Sequence, residues 1–203
     1  ETKRKLRETE KELARIKKEF EHSDAENSQG VADEYNLKID ELSALEWFDN
    51  GYEKAISGDY KGAIEDFTKA IELVPKYAPA YDYRGNTKGR LGDYRGAIQD
   101  FTKAIELNPK HAKAYNKRGV AKGSLGDNRG AIQDYTKAIE VDPKYADAYY
   151  NRGNAKGRLG DKKGAIQDYT KAIEVDPKDA DAYFIRGISL LSLGDDGGCL
   201  DLS

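Results

Sequence analysis

The sequence repeats itself every 34 residues. Pro75, Pro109, Pro143 and Pro177 stand at that interval, as do Gly51, Gly85, Gly119, Gly153 and Gly187. Gly58, Gly92, Gly126, Gly160 and Gly194 form a second such column. Four full units fill 44–77, 78–111, 112–145 and 146–179, and a fifth opens at Ala180 and runs to Ser203. Units 112–145 and 146–179 differ at 8 of 34 positions, so 26 agree. Such a chain makes one small unit many times over. No unit can hide its apolar surface alone, so neighbours must stack.

Within a unit the pattern is helical twice. In 146–179, ADAYYNRGNAKGRLG reads as a first helix closed by Gly160, and KKGAIQDYTKAIEV reads as a second. Asp161 stands where an N-cap is needed, and a glycine past a helix end takes the left-handed turn without strain. Pro177 stops the second helix, because its ring clashes with helical continuation. Ala165, Tyr169, Ala172 and Ile173 lie at i, i+4, i+7 and i+8, one apolar stripe.

These residues resemble the tetratricopeptide repeat (TPR) family over Ala44 to Ser203. The resemblance rests on the aromatic column Trp47, Tyr81, Tyr115, Tyr149 and Tyr183 and on the glycine column from Gly51. It rests also on Ala63, Ala97, Ala131 and Ala165, on the rings Phe67, Phe101, Tyr135 and Tyr169, and on Ala70, Ala104, Ala138, Ala172 and the four prolines. It implies an all-α, right-handed α-solenoid of helix-turn-helix units, whose concave groove is lined by first helices and holds peptides or other proteins. The YxxRG and AIQDYTKAI style is similar to TPR scaffold and assembly proteins of bacteria and the photosynthetic lineage.

Two columns depart from the family's usual apolar pattern. Arg84, Arg118, Arg152 and Arg186 stand where Leu is common, and Lys54, Lys88, Lys122 and Lys156 where a ring is common. Asp66, Asp100, Asp134 and Asp168 form a matching acidic column on the second helices. A half-buried guanidinium needs a carboxylate, so the Arg and Asp columns are expected to pair as a structural ion-pair ladder, with direct ligand contact by Arg as the alternative. Gly89, Gly123 and Gly157 lie within first helices, at about 1 kcal/mol each against Ala. They serve either close helix packing, the favoured reading, or an open groove floor.

Second helices barely change between units, whereas first helices do. The changes collect at Tyr83, Lys117, Asn151 and Ile185, and at Arg90, Ser124, Arg158 and Ser192. They also fall at Asp82, Asn86, Asn116, Val120, Tyr150, Asn154, Phe184 and Ile188, to which the first unit adds Phe48 and Tyr52. By the resemblance these last ten form the partner-binding groove, aromatic at both ends and amide-rich in the middle; the alternative is drift on a solvated face. The Lys/Asn/Arg set with which some TPR domains grip a chaperone's terminal carboxylate is not reproduced in any register, and only Lys113 and Lys117 fit in part.

Residues 1–26 read as a charged helix in which Leu6, Leu13 and Phe20 recur every seven, with Thr9 and Ile16 between. That is either a short coiled coil joining a homodimer or a lone solvated or partner-bound helix. Residues 27–43 read as linker and capping helix, with EHSDAENSQG (21–30) polar and Val31, Tyr35, Ile39 and Leu42 as a stripe over the first repeat; 44–203 is the repeat domain. The fifth first helix carries Phe184, Ile185, Ile188, Leu190, Leu191 and Leu193, apolar groups that need a cover.

Composition narrows the function classes. Net charge is −3, and over 44–203 the 25 basic residues equal the 25 acidic ones, which disfavours nucleic acid as a partner. Cys199 is the single cysteine and His22 and His111 the only histidines, so neither an internal disulfide nor a Cys- or His-built metal site is expected. Cys199 reads as a free structural thiol, compatible with a reducing, intracellular compartment. No stretch approaches the roughly 20 apolar residues of a membrane span. Residue 1 is Glu and methionine is absent, so the chain is read as starting downstream of an initiator. No phosphate loop, Ser/His/Asp set or cofactor motif stands out, and no enzyme activity is expected. The reading is a protein-binding scaffold; the alternatives are a subunit self-associating through 1–26 and the C-terminal apolar face, or the accessory module of an enzyme.

Overall fold

The computed structural model describes residues 2–21 and 28–195. It is all helix among those residues and divides into two units, Glu1–Gly92 and Asp93–Ser203. The first contains α1 (Thr2–Glu21), α2 (Ser28–Ser57), α3 (Tyr60–Leu73) and α4 (Ala78–Arg90). The second contains α5 (Tyr94–Leu107), α6 (Ala112–Ser124), α7 (Asn128–Val141), α8 (Ala146–Arg158), α9 (Lys162–Val175) and α10 (Ala180–Asp195).

The same punctuation joins the two helices of each of the first four repeats, whereas Gly194 of the fifth, expected in the same column, lies inside the last helix. Gly58, Gly92, Gly126 and Gly160 all have φ between 82° and 90°, the left-handed conformation that lets the chain leave a first helix. One residue later an aspartate caps the second helix: Asp127 Oδ1 accepts from Gly130 N at 2.8 Å, and Asp161 Oδ1 from Gly164 N at 2.9 Å. A Cβ on Gly130 or Gly164 would collide with that carboxylate, so the D-x-x-G spacing is one device. Second helices end before the prolines, with Asp142 and Asp176 extended, as residues preceding proline prefer.

In the first unit, α2 is one continuous helix of 30 residues. The capping segment and the first helix of the first repeat are therefore a single element, and the last three residues of the expected linker form its first turn; residues 22–27 lie outside the described residues. Helix α1 packs along α2, burying Ile16 completely, with Glu12 and Lys38 paired at 3.1 Å. The apolar seam of α1 is thus engaged within the chain at Ile16, while the Leu6 and Phe20 side chains lie outside the described residues. The core behind it joins Ala44, Phe48, Ala63, Phe67, Ala70, Ile71 and Ala80.

In the second unit each hairpin stacks on the next, from α5 through α10. Small residues make the contact: Ala97, Ala104, Ala131, Ala138 and Ala172 are fully buried. Rings fill the space beside them. A Cβ on Gly119 would lie 2.6 Å from the Tyr135 ring, and one on Gly153 2.6 Å from the Tyr169 ring, so that glycine column is required by ring packing.

Candidate partner-binding face

The arginine column holds the repeats together. Arg118 on α6 donates through Nε and Nη2 to both oxygens of Asp134 on α7, at 2.9 and 2.7 Å, and through Nη1 to Thr102 of α5 at 3.1 Å. Arg152 repeats this with Asp168 at 2.9 and 2.7 Å and Thr136 at 3.2 Å. Each guanidinium also lies over the Tyr three residues before it, 5.7 Å from Tyr115 and 5.6 Å from Tyr149. Lys122 and Lys156 complete the carboxylates at 2.9 and 2.8 Å. The donors of both arginines are taken by packing partners, and their side chains keep 16–17% of their exposure.

The ends of the column differ. The first repeat has Asn50 where the others have Arg, and Asp66 is held instead by Lys54 at 2.6 Å, a hydrogen bond that raises the lysine's pKa. Arg84 donates to Thr68 at 3.0 Å, and Asp100 is buried. Arg186 lies over Tyr183 at 5.5 Å, and the acidic column does not continue for it, since position 202 is Leu; that residue, Cys199 and Leu200 lie outside the described residues.

The ten groove residues separate into floor and surface. Phe48 is 6% exposed, packed among Phe67, Tyr77 and Tyr83 at ring distances of 5.2–5.5 Å, so it is a core residue. Asp82 and Asn116 are 4% and 6% exposed, and Asn116 exchanges hydrogen bonds with Tyr145 (3.3 Å) and Asn151 (3.1 Å). These three are interior groups rather than an open contact surface; aromatic rings close over Phe48, and a tyrosine and an amide bond Asn116. Tyr52 is exposed and meets Tyr83 edge-on, and Asn86 is half-buried.

In the second unit Val120, Phe184 and Ile188 are exposed, while Tyr150 and Asn154 are half-buried. Tyr150 leans on Tyr169, whose hydroxyl donates to Asn154 at 2.9 Å. Two hollows open here. One, of about 120 Å³, lies between α6, α7 and α8 and takes in Val120, Tyr135, Asn154 and Arg158. The other, of about 440 Å³, has Tyr150 at its side and Asp147, Asp176, Asp179 and Asp181 around it. Phe184 and Ile188 line neither.

Gly123 and Gly157 behave unlike the Gly119 column. A Cβ on either would meet its neighbours only at 3.8–3.9 Å, ordinary contact. Packing does not require glycine at these positions, contrary to the favoured expectation. His111 is used as an N-cap, its Nδ1 accepting from Ala114 N at 3.3 Å. Among the described residues no group of His, Cys, Asp and Glu is placed to hold a metal ion, and no helix is long and apolar enough to cross a membrane.

Profiles described as "TPR repeat" match residues 85–126 and 123–160, and profiles described as "Tetratricopeptide repeat" match 146–179 and 168–200. Together they cover more than half of the chain. The chain belongs to the tetratricopeptide repeat family. Its fold is the all-α solenoid of TPR hairpins. No curated protein matches the sequence. Among solved structures, one of MamA is 29% identical with a TM-score of 0.70, covering 75% of this TPR chain and 83% of that one. A second MamA structure is 30% identical with a TM-score of 0.68, covering 71% and 84%. The first TPR of Spaghetti (RPAP3), solved bound to the HSP90 peptide SRMEEVD, is 26% identical with a TM-score of 0.56, covering 58% and 93%.

Proposed function

We propose that this protein is a non-catalytic scaffold that holds a segment of another protein against the face formed by its first helices, and so helps assemble a larger complex. One observation carries the reading. In the second unit the constant alanines, rings and ion pairs are taken up in packing, and, although Leu125 and Leu159 are constant and exposed, the exposed apolar groups Val120 and Ile188 stand at positions that change, next to two hollows lined by constant and changing residues alike. A structural demand would keep such positions constant; recognition of an irregular partner does not. The peptide seated on the similar RPAP3 domain supports the same use of the fold. The chain's departure from the Lys/Asn/Arg set argues for a different peptide.

Tyr150 and Asn154 have packing partners of their own, so the test uses exposed positions. Val120→Asp and Ile188→Asp should abolish capture of a co-purifying partner while leaving the unfolding midpoint in place. Capture that survives both changes would remove the reading. The exposed side chains of Phe184 and Leu191 on α10, at 69% and 73%, favour a second reading in which this face meets another copy of the chain. Sedimentation velocity separates the two, since Leu191→Asp would then lower the measured mass.

A further inference from the structure

Tyr135 is 4% exposed, and its hydroxyl is bonded to none of the described residues. The neighbouring repeat makes this conspicuous. There the Tyr169 hydroxyl donates to Asn154 at 2.9 Å, but the residue equivalent to Asn154 beside Tyr135 is Val120. Phe67 and Phe101 occupy the same place in the first two repeats, so the packing needs no hydroxyl. The side chain is buried, but the hydroxyl is not among the sealed, unpartnered atoms, so it stays reachable from outside. The Tyr135 side chain lines the 120 Å³ hollow between α6, α7 and α8.

Two further groups face the same space without a bond. Asn128 Oδ1 is buried with no hydrogen-bond partner, and a half-turn of that amide presents its NH2 instead. Arg158 is the one charged residue in the lining and makes no ion pair or hydrogen bond among the described residues. Gly123 forms part of the wall, where a methyl group would fit but would narrow the space.

We propose that this hollow is a pocket for the carboxylate of an acidic side chain on the partner segment, held by the Arg158 guanidinium, the Tyr135 hydroxyl and the Asn128 amide. It deepens the scaffold reading and rests on it. Arginine can only donate, and a phenol that keeps its proton donates too, so the complement is an acceptor carrying negative charge. Burial pushes the Tyr135 phenol up to about 12, which keeps that proton in place at neutral pH. No acidic residue lines the hollow to compete. Glutamate carries its carboxylate into a hollow of about 120 Å³ on two unbranched methylenes; a chain terminus brings its branched Cα directly behind the carboxylate. The site uses two first helices and the second helix between them.

The test is a titration of the 15N-labelled full chain with N-acetyl-glutamate N-methylamide. Side-chain signals of Arg158, Asn128 and Asn154 should shift saturably, with half-saturation on the order of 10 mM for so small a probe. N-acetyl-glutamine N-methylamide and N-acetylalanine should each bind at least tenfold more weakly, as should the glutamate probe to Arg158→Gln and to Tyr135→Phe. Tyr135→Phe copies Phe67 and Phe101 and should fold normally. No saturable shift, equal binding of the glutamine probe, or binding indifferent to Arg158→Gln would overturn the pocket. Equal binding of N-acetylalanine would overturn the side-chain assignment. Failure here while Val120→Asp still abolishes capture removes the pocket alone and leaves the scaffold standing.

Discussion

Arg118 and Arg152 each tie three helices, through a threonine, a tyrosine ring and an aspartate. Removing a buried member of such a set leaves uncompensated charge. Asp168→Ala strands Arg152 and Lys156, and should cost about 3 kcal/mol in urea unfolding. Glu140→Ala breaks only an exposed pair with Lys137 and should leave the midpoint unmoved. Tyr135 offers a second check. Its folded pKa is raised above the unfolded value of 10.0 by burial, to about 12. The stability this contributes is fully present below pH 10, and is lost as pH rises toward 12. Stability measured over that window should fall less steeply in Tyr135→Phe, and equal slopes would contradict the assignment. The Arg–Asp pairing was legible in the sequence because two charged columns ran at one period. The asparagine pair was not, since nothing local links Asn116 to Asn151.

At the scale of the element, each hairpin was readable from its punctuation. Glycine at Gly126, aspartate at Asp127 and proline at Pro143 mark where helices start and stop, and the structure follows them. Helix α2 was harder, because no proline separates 31–43 from 44–57 and Gly51 serves ring packing, so cap and first repeat fuse. Burial of Phe48 was also hidden, since it depends on rings at Tyr77 and Tyr83 from the turn and helix that follow. Helical glycines look alike in sequence, yet the ring positions separate them. Gly119→Ala pushes into Tyr135 and should cost about 1–3 kcal/mol. Gly123→Ala meets only ordinary contacts and should gain up to about 1 kcal/mol. Thermal midpoints of the two variants should therefore move in opposite directions, and matching losses would mean that Gly123 too is a packing residue.

For the whole molecule, net charge is −3 and the internal framework recurs from repeat to repeat, so the scaffold proposal assigns recognition to the residues that break the repeat. The scaffold proposal puts a partner on the first helices. Site-specific photo-cross-linking tests it most directly, with benzoylphenylalanine placed at Val120 or Ile188 on first helices and at Glu140 or Glu174 on second helices. Partner adducts are expected from 120 and 188 and none from 140 and 174. Adducts from the second-helix positions, with the first-helix positions silent, would contradict it.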